Sequence, residues 1–326
     1  MPGVNGFKEY CSRRKPILSQ AVDRTLRELF QDLHVPPDET FRSLFQDGKL
    51  IRGSLVCLVN ESLGGDLSSA IQRSVAVEMI HGATLIHDDF VDQDRTRRGK
   101  PAAWTITGAR RAVLLGDVIF ASAIEMMSDL SADDGLAVSR AIARIAKGAF
   151  QEPIDASELN RRLGAEALSD TLYDAIVDLK TGVLFGVACE LGAIAAGASA
   201  DVRKAFHRYG LLIGEAYQIA DDLQEIEHHL SNGTVCAGDL AALAPALVRF
   251  GANPQSAIAP LLAVERSVLS PALSKCLAEM RRRMAQELER RLKLARLEVA
   301  GLVAGPRERA MIHEAPRELI AMFNEA

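Results

Sequence analysis

The sequence predicts an all-α fold, with a single domain spanning residues 1–326. Hydrophobic residues make up 48% of the chain and aromatic residues only 5%, with Ala and Leu abundant, which favours helix over sheet. Apolar residues recur every three or four positions through most of the chain. No internal repeat and no linker-like change of composition interrupts this pattern, so we expect one bundle of about ten or more helices.

The predicted helices follow one another with short interruptions. A first helix over residues 16–33 has Pro16 near its start, and Val35-Pro36-Pro37 ends it. A second helix is expected after the Pro pair, around Phe41 and Phe45. The remaining helices are predicted at 55–63, 68–87, 112–130, 135–152, 165–181, 182–197, 200–225 and 273–303.

Three of these segments have a distinctive composition. The segment 112–130 is apolar on nearly every side, which predicts that its helix is central in the bundle. The segment 182–197 is rich in small apolar residues, which are suited to close helix packing. The tail at 273–303 balances basic with acidic residues, a pattern typical of a solvated face.

Charge, cysteine and hydropathy patterns exclude several classes of protein. The net charge is −5 at pH 7 and basic residues are interspersed with acidic ones, so no broad basic surface indicates nucleic-acid binding. The five cysteines show no CxxC spacing, which is typical of reduced thiols in the cytoplasm. Because we find neither a signal peptide nor an apolar run of about 18 residues, we expect a cytoplasmic protein without a transmembrane segment.

The segment His81–Pro101 combines carboxylates with cations. The charged residues in question are Asp88, Asp89, Asp92, Arg95, Arg97 and Arg98. In a helix, Asp88 and Asp92 would lie on one face, where their like charges repel each other unless a cation lies between them. Carboxylate oxygens favour magnesium, which takes phosphate oxygens as further ligands, so the arginines indicate a phosphorylated substrate. An acidic helix end followed by basic residues is also typical of a solvated loop.

A second acidic cluster repeats the spacing of the first. Asp221, Asp222 and Glu225 lie about 130 residues downstream, inside another segment with helical periodicity. Two such clusters, each flanked by helix of the buried type, predict two walls of one metal-lined cavity. The second cluster therefore favours the metal site over the solvated loop.

With these two motifs the chain resembles the trans-type isoprenyl diphosphate synthases of the polyprenyl synthetase family, over about residues 45–240. Further elements match the family in order, namely GKLIR at 48–52, EMIH at 78–81, RRGKP at 97–101, GD at 116–117, KT at 180–181 and Gln218. The resemblance implies the isoprenoid synthase fold, in which helices surround a deep apolar central cavity. The two acidic motifs would face each other across that cavity.

The resemblance also implies a prenyltransferase that condenses isopentenyl diphosphate with an allylic diphosphate to give a polyprenyl diphosphate. About three Mg²⁺ ions per active site would be bound by Asp88, Asp92, Asp221 and Glu225. The side chains around the allylic diphosphate would be Arg97, Lys180, Thr181 and Gln218. Those around isopentenyl diphosphate would be Lys49, Arg52, His81 and Arg98. The residues with an implied catalytic role are Asp88, Asp92, Lys180 and Asp221, and no side-chain nucleophile is required.

Two small residues bear on the product length. Ala83 and Thr84 precede Asp88 by five and four positions, about 6–7.5 Å along a helix. Short-chain members of the family usually carry bulky aromatic rings there, so the resemblance implies elongation beyond about twenty carbons, with each methylene adding roughly 0.8 kcal/mol of burial. The segment 112–130 also implies a homodimer, because one helical layer cannot cover its apolar surface and the family pairs through such a helix.

The chain departs from the family pattern around the second motif. Glu225 stands where Asp is usual, and GDLAALAPAL at 238–247 has no lysine where the family usually has some. Losing one or two charge-assisted contacts of about 1.5–3 kcal/mol each would weaken binding of the allylic diphosphate. Two other functions therefore stay open. One is a class I terpene cyclase, although GKLIR and RRGKP indicate two diphosphate sites, and the other is a weakly active synthase-like subunit that serves as the partner of an active chain.

Overall fold

The structure, a computed structural model, describes residues 6–34, 45, 48–151, 161, 171–251 and 266–324. It confirms the all-α prediction, since most of the described residues are helical and the strands form two short antiparallel pairs. None of the described helices has the length and apolar character that crossing a membrane requires. The helix predicted around Phe41 lies outside the described residues, apart from Phe45.

The helices and strands are numbered along the chain. The α-helices are α1 (Phe7–Asp32), α2 (Ile51–Ser62), α3 (Leu67–Val91), α4 (Ala103–Thr107), α5 (Ala109–Leu130), α6 (Ala132–Gln151), α7 (Leu172–Ile176), α8 (Val183–Ala195), α9 (Ala200–Asn232), α10 (Ala237–Phe250), α11 (Pro271–Glu298) and α12 (Pro306–Asn324). A π-helix at Val177–Gly182 joins α7 to α8. The strand pairs are β1 (Thr96–Arg97) with β2 (Lys100–Pro101) and β3 (Thr234–Cys236) with β4 (Arg266–Val268).

The backbone forms two compact units, each of which contains one acidic motif. The first unit comprises Met1–Ala143, Val183–Leu211 and Ala295–Ala326. The second unit comprises Arg144–Gly182 and Leu212–Leu294. The single domain expected over residues 1–326 stays a prediction.

Helix α3 is the centre of the first unit. Its positions from Ser74 to Ile80 are all buried, and α1, α2, α5 and α8 all pack against it. Asp66 caps its N-terminus by accepting a hydrogen bond from the backbone N–H of Ser68 at 3.3 Å. The other end of this helix carries the first acidic motif, which therefore has a rigid support.

Helix α5, which the sequence predicts to be central in the bundle, buries a single stripe instead. The buried residues are Ala112, Gly116, Ile119, Ala123 and Met127, at spacings of three and four. Another face is open, where Leu114 is 51% exposed. The prediction is wrong because composition sets how much apolar surface a helix offers, whereas its neighbours, chiefly α3 and α4, set how much of that surface is covered.

Helix α8 is buried on nearly every side. All of its residues except Glu190 and Ala195 are buried. A Cβ atom added to Gly192 would lie 2.5 Å from the backbone oxygen of Val56, so only glycine permits this approach of α8 to α2. The close packing predicted for the small residues at 182–197 is confirmed.

Both ends of the chain differ from the predicted helix boundaries. Helix α1 begins at Phe7 rather than at Pro16, and Pro16 lies inside the helix. Helix α12 has no counterpart among the predicted helices, yet it buries Ile312 and Leu319 and packs against α1 and α2. In both places tertiary packing stabilises helical turns that local propensity disfavours or does not reveal.

Ion pairs hold the elements of the second unit together. Arg291 of α11 pairs with Glu215 of α9, and its Nη2 atom lies 3.2 Å from Asp174 Oδ1 in α7. Arg249 of α10 also pairs with Asp174, with Nε 3.0 Å from Oδ2. Burial raises the pKa of Glu215, and the Arg291 guanidinium opposes that rise. These pairs anchor the short helix α7, which directly precedes the π-helix.

Candidate active site

The first acidic motif lies at the end of α3. The backbone N–H of Asp92, the C-cap residue, donates to the carbonyl oxygen of Asp88 at 2.8 Å. The last helical turn therefore includes both residues, and the prediction that Asp88 and Asp92 share one face of a helix is confirmed. Asp88 is half-buried and Asp92 is exposed, so the two carboxylates lie where a buried helix reaches the surface.

Asp89 is rotated away from this face and is fully buried. Its Oδ1 atom accepts hydrogen bonds from two nitrogens of Arg97, from Nε at 2.7 Å and from Nη2. Burial raises the pKa of Asp89, and the Arg97 guanidinium opposes that rise. The middle carboxylate of the motif thus holds Arg97, the residue expected at the allylic diphosphate. An offset of about 100° from Asp88 on a helix indicates that Asp89 turns away from the shared face, but the sequence pattern did not reveal that Asp89 holds Arg97.

The RRGKP segment forms a tight β-hairpin after α3. Arg97 in β1 faces Lys100 in β2, and Arg98 and Gly99 make the two-residue turn between them. Both turn residues have positive φ angles, 52° for Arg98 and 73° for Gly99. Two-residue hairpin turns of type I′ require this conformation, which glycine adopts readily. The hairpin therefore presents the two arginines from a fixed backbone.

Arg98 lies beside the GKLIR segment of the same unit. A Cβ atom added to Gly48 would lie 3.4 Å from Arg98 Nη1, so the guanidinium packs next to the backbone that leads into Lys49. Leu50, the N-cap of α2, has a φ angle of 50°. Non-glycine residues rarely adopt a positive φ, and such strain clusters at functional sites. Leu50 and Arg98 both adopt it within the segments expected to bind diphosphate.

Glu78 is a buried carboxyl group among these cations. Its Oε1 atom accepts a hydrogen bond from the backbone N–H of Gly53 at 2.7 Å. Burial raises the pKa of Glu78, while the Gly53 N–H and the charges of Arg52 and Arg98 lower it. Glu78 therefore joins α3 to the backbone of α2 at Gly53, a role that its match to the EMIH element did not reveal.

His81 lies in the same cationic surroundings. Burial and the charges of Arg52, Arg98 and Arg97 hold its pKa well below the usual value, so its imidazole is neutral at pH 7. The Arg52 guanidinium also lies over the ring of Phe185, 4.4 Å from the ring centroid. The structure thus brings Arg52, His81 and Arg98 into one electrostatic cluster.

Lys49 makes a different contact. Its Nζ atom donates a hydrogen bond to the backbone carbonyl of Met322, near the end of α12. The residue as a whole is exposed. Its binding of isopentenyl diphosphate stays a prediction.

The second acidic motif lies inside α9, a helix of 33 residues. Asp221 and Glu225 are four positions apart in continuous helix and share one face, as the sequence predicts. Desolvation raises the pKa of Asp221, and the positive charge of Lys180 opposes that rise. The second unit therefore brings Lys180 close to the first carboxylate of this motif.

Asp222, the middle carboxylate, is held by neutral donors. The Tyr173 hydroxyl donates to its Oδ2 at 2.6 Å, and Gln218 Nε2 donates to its Oδ1 at 3.0 Å. Burial raises the pKa of Asp222 to about 7, although both hydrogen bonds lower it. Gln218 Oε1 in turn accepts the Thr181 hydroxyl at 2.7 Å. Thr181 and Gln218, both expected at the allylic diphosphate, are therefore in direct contact, and Tyr173, which belongs to no motif of the sequence, joins them.

Lys180 and Thr181 lie on the π-helix Val177–Gly182. The sequence predicts ordinary helix up to Thr181, and this prediction is wrong for the last turn. A π-turn contains one more residue than an α-turn and so redirects the side chains that it carries, and π-turns are frequent at functional sites. The apolar spacing of the segment does not reveal the extra residue.

Helix α6 packs closely against this π-helix. Arg144 Nη2 pairs with Asp178 Oδ2 at 2.8 Å. A Cβ atom added to Gly148 would lie 2.6 Å from Leu179 Cβ and 2.9 Å from the backbone nitrogen of Lys180. Glycine at 148 therefore lets α6 approach the backbone that carries Lys180.

The two residues predicted to bear on product length lie on α3. Ala83 is fully buried in an apolar cluster of the first unit that includes Phe30, Phe45 and Met79. Thr84 is half-buried, and its hydroxyl donates to the carbonyl oxygen of His81 at 2.8 Å. At position 83 the helix thus contributes only a methyl group to the apolar cluster.

The residues expected to bind magnesium are all carboxylates, namely Asp88, Asp92, Asp221 and Glu225. Within the described ranges, neither unit by itself gathers three or more carboxylate, imidazole or thiol groups around one point. Magnesium usually keeps several waters and binds through one or two carboxylates plus substrate phosphates. Two same-face carboxylates in each motif fit this ion.

Comparison with known sequences supports a family assignment. A sequence model described as polyprenyl synthetase matches residues 38–247, more than half of the chain. The geranylgeranyl diphosphate synthase of Mycobacterium tuberculosis (strain ATCC 25618 / H37Rv) is 38% identical over 176 residues, which make up 54% of this chain and 50% of that protein. The chain thus spans about half the length of this curated relative.

Two solved structures share the fold. A decaprenyl diphosphate synthase from Rhodobacter capsulatus has a TM-score of 0.75 at 23% identity, covering 97% of this chain and 99% of that one. A polyprenyl synthase from Caulobacter crescentus CB15, complexed with calcium and isoprenyl diphosphate, has a TM-score of 0.71 at 25% identity, covering 98% and 99%. The isoprenoid synthase fold is confirmed, and from the match over residues 38–247 the chain belongs to the polyprenyl synthetase family.

Proposed function

We propose that this chain is a magnesium-dependent prenyltransferase that condenses isopentenyl diphosphate with an allylic diphosphate. The observation that carries the proposal is the pair of acidic motifs, each with two carboxylates on one helical face. Each motif lies next to a cation that can donate to phosphate oxygens, Arg97 in the first unit and Lys180 in the second. The cluster of Arg52 and Arg98 supports a second diphosphate site.

The residues proposed to hold magnesium are Asp88, Asp92, Asp221 and Glu225. When bound, the metal would neutralise charge that develops on the leaving diphosphate. Arg97, Lys180 and Gln218 would donate hydrogen bonds to the oxygens of the same group. The buried apolar cluster around Ala83 would exclude water from the allylic cation that forms as the diphosphate leaves.

A relative supports the pairing of a divalent cation with a diphosphate. The polyprenyl synthase of Caulobacter crescentus CB15 is complexed with calcium and isoprenyl diphosphate, and it is 25% identical to this chain. Calcium, like magnesium, prefers oxygen ligands. The carboxylates of the two acidic motifs offer ligands of this kind.

Incorporation of labelled isopentenyl diphosphate tests the proposal. The purified chain is incubated with farnesyl diphosphate, labelled isopentenyl diphosphate and Mg²⁺, with and without excess chelator. We expect label in an organic-extractable product after dephosphorylation, and no label when the metal is chelated. A cyclic hydrocarbon formed from the allylic substrate alone would indicate a terpene cyclase instead. Turnover that appears only when a second chain is added would indicate the partner subunit.

We further propose a product longer than about twenty carbons. Neither Ala83 nor Thr84 supplies a ring that would stop a growing chain at this depth of α3. Ala83→Phe adds such a ring and should shorten the product to about fifteen or twenty carbons. Ala143→Phe, which adds a ring at an exposed position of α6, is the matched control. Chromatography of the dephosphorylated products measures the length, and an unchanged length in Ala83→Phe would contradict the proposal.

We also propose a homodimer that forms through α5. Leu114 is 51% exposed on the side of the helix away from the buried stripe, so this open face offers apolar surface to a second copy of the chain. Light scattering at micromolar concentration should give twice the mass of one chain. Leu114→Glu should shift the protein towards the monomer, and a monomeric wild-type protein would contradict the proposal.

A further inference from the structure

Tyr173 begins a chain of side-chain hydrogen bonds in the second unit. Its hydroxyl donates to Asp222 Oδ2 at 2.6 Å, and Asp222 Oδ1 accepts from Gln218 Nε2 at 3.0 Å. Gln218 Oε1 then accepts the hydroxyl proton of Thr181 at 2.7 Å. Four side chains from α7, α9 and the π-helix are thus linked, and donation converges on Asp222, from Tyr173 on one side and from Thr181 through Gln218 on the other.

The direction of these bonds sets the orientation of the Gln218 amide. In the structure its nitrogen faces Asp222 and its oxygen faces Thr181, and with an ionised Asp222 a reversed amide would place two acceptors against each other. That orientation also sets the direction in which the second hydrogen on Gln218 Nε2 points and the rotamer of Thr181. Asp222 fixes the orientation of the Gln218 amide only while the Asp222 carboxylate is held in one rotamer. The Tyr173 hydroxyl donates to the other carboxylate oxygen, Oδ2, and so holds that rotamer.

Tyr173 is itself fixed from two sides. Its ring packs edge-on against Phe250 of α10, with 5.3 Å between ring centroids and 82° between ring planes. The neighbouring Asp174 pairs with Arg249 and Arg291, which anchors α7 to α10 and α11. The hydroxyl is therefore a preorganised donor rather than one that rotates freely.

We propose that Tyr173 is a positioning residue that orients Gln218 and Thr181, through Asp222, for binding of the allylic diphosphate. The inference rests on the proposed prenyl transfer, and it concerns the allylic diphosphate alone. Tyr173 belongs to the second unit, whereas the cluster of Arg52 and Arg98 belongs to the first. Loss of the hydroxyl should therefore weaken the binding of one substrate and leave the other unchanged.

Tyr173→Phe separates this role from packing, because it keeps the ring against Phe250 and removes only the hydroxyl. We expect KM for the allylic diphosphate to rise about 5- to 30-fold, with KM for isopentenyl diphosphate unchanged within about twofold. The matched control is Tyr209→Phe in the first unit, which removes a buried hydroxyl that donates to the Ile312 carbonyl at 2.7 Å. This control should lower thermal stability without moving either KM.

A double-mutant cycle tests whether Tyr173 acts through Gln218. In a Gln218→Ala background, Tyr173→Phe should change KM for the allylic diphosphate by less than about twofold, since the group that it orients is gone. Phe250→Leu, which loosens the tyrosine ring without touching the hydrogen bonds, should raise the same KM by a smaller factor. This second variant tests the role even where Tyr173→Phe folds poorly.

Direct binding keeps this inference distinguishable from the proposed function. Calorimetry with farnesyl thiodiphosphate and Mg²⁺ measures allylic binding without turnover. If the wild-type chain binds this probe but does not incorporate isopentenyl diphosphate, and Tyr173→Phe weakens binding, the proposed function fails and the role of Tyr173 stands. Four outcomes would overturn the role of Tyr173. They are an unchanged KM and binding constant in Tyr173→Phe, an equal shift in Tyr209→Phe, full additivity of Tyr173→Phe with Gln218→Ala, and a wild-type chain that does not bind the probe.

Discussion

The two acidic motifs have the same spacing but different supports. Asp92 ends α3 and is followed by a hairpin that carries Arg97, whereas Glu225 lies inside α9, which continues to Asn232. In the first motif the buried middle residue, Asp89, pairs with the cation Arg97. In the second motif Asp222 pairs with two neutral groups, the Tyr173 hydroxyl and the Gln218 amide.

In each motif the middle carboxylate is hydrogen-bonded to donors of its own unit, and we propose that it is a support rather than a metal ligand. Successive helical residues are about 100° apart, so a residue at i+1 turns inward when those at i and i+4 face the open side. Asp89 accepts from a charged donor, whereas Asp222 accepts from two neutral donors. Two motifs of the same spacing therefore hold, in two different ways, donors that we propose bind phosphate.

The largest effect on turnover is expected at the outer carboxylates, and it should be similar in the two motifs. Asp88→Ala and Asp221→Ala should each lower turnover about a hundredfold or more, because each removes one proposed ligand that offsets charge on the leaving diphosphate. Steady-state kinetics with Mg²⁺ titration measures the loss, and the helical circular-dichroism signal should be unchanged. Asp129→Ala, at an exposed position of α5, is the control. Full activity in either motif variant would remove that motif from the proposed metal site.

An intermediate effect is expected at the middle carboxylate of the first motif. Asp89→Asn should cost about 1.5–3 kcal/mol of stability, because it removes the buried charged partner of a half-buried guanidinium, which keeps the more exposed Asp94 at 3.5 Å. Turnover should fall about tenfold, since Arg97 is no longer held at the site. Chemical denaturation and kinetics measure the two losses.

A second aspartate–arginine pair provides the control for that variant. Asp133 pairs with Arg203 at 2.5 Å, but its side chain is 62% exposed. Asp133→Asn should change stability by about 0–1 kcal/mol, as is usual for exposed pairs, and should leave turnover unchanged. Equal losses of stability and turnover in Asp89→Asn and Asp133→Asn would mean that burial does not make the Asp89–Arg97 pair more important than an exposed pair.

The smallest effect is expected where α6 supports the second motif. Gly148→Ala places a methyl group 2.6 Å from Leu179 Cβ, so the π-helix must shift, at a cost of about 1–3 kcal/mol. Turnover should fall only a few-fold, with the change in KM confined to the allylic diphosphate. Lys147→Ala, at the adjacent exposed position, should stay within about 0.5 kcal/mol of wild type. A Gly148→Ala protein as stable as Lys147→Ala would contradict the close packing of α6 on the π-helix.

Position along a helix explains which features of the candidate site could be predicted. The shared face of Asp88 and Asp92, and that of Asp221 and Glu225, depend only on helical geometry, and both are confirmed. The partner of Asp89 lies eight residues away across a turn, and the partner Tyr173 of Asp222 lies 49 residues away. Local periodicity carries no information about such contacts, so these partners could not be predicted.

The burial of the helices could likewise be predicted only in part. The sequence indicated that α5 is very apolar, but not that only the stripe containing Ala112 and Ile119 finds neighbours in the chain. It indicated small residues in α8, and Gly192 against the Val56 backbone confirms their use. How much apolar surface a segment offers is a property of its composition, whereas how much is covered depends on what packs against it.

The sequence by itself determined the helical class, the face of each acidic motif and the order of the family's motifs, because these depend on residue type and on spacing within one helix. Only the tertiary structure decided that Asp89 accepts hydrogen bonds from Arg97, that Lys180 lies on a π-helix and that Tyr173 donates to Asp222. The physical reason is that hydrogen bonds and close contacts between distant segments are selected by packing of the whole unit. A one-residue insertion in a helical turn or a hydroxyl in a distant short helix leaves the apolar pattern unchanged.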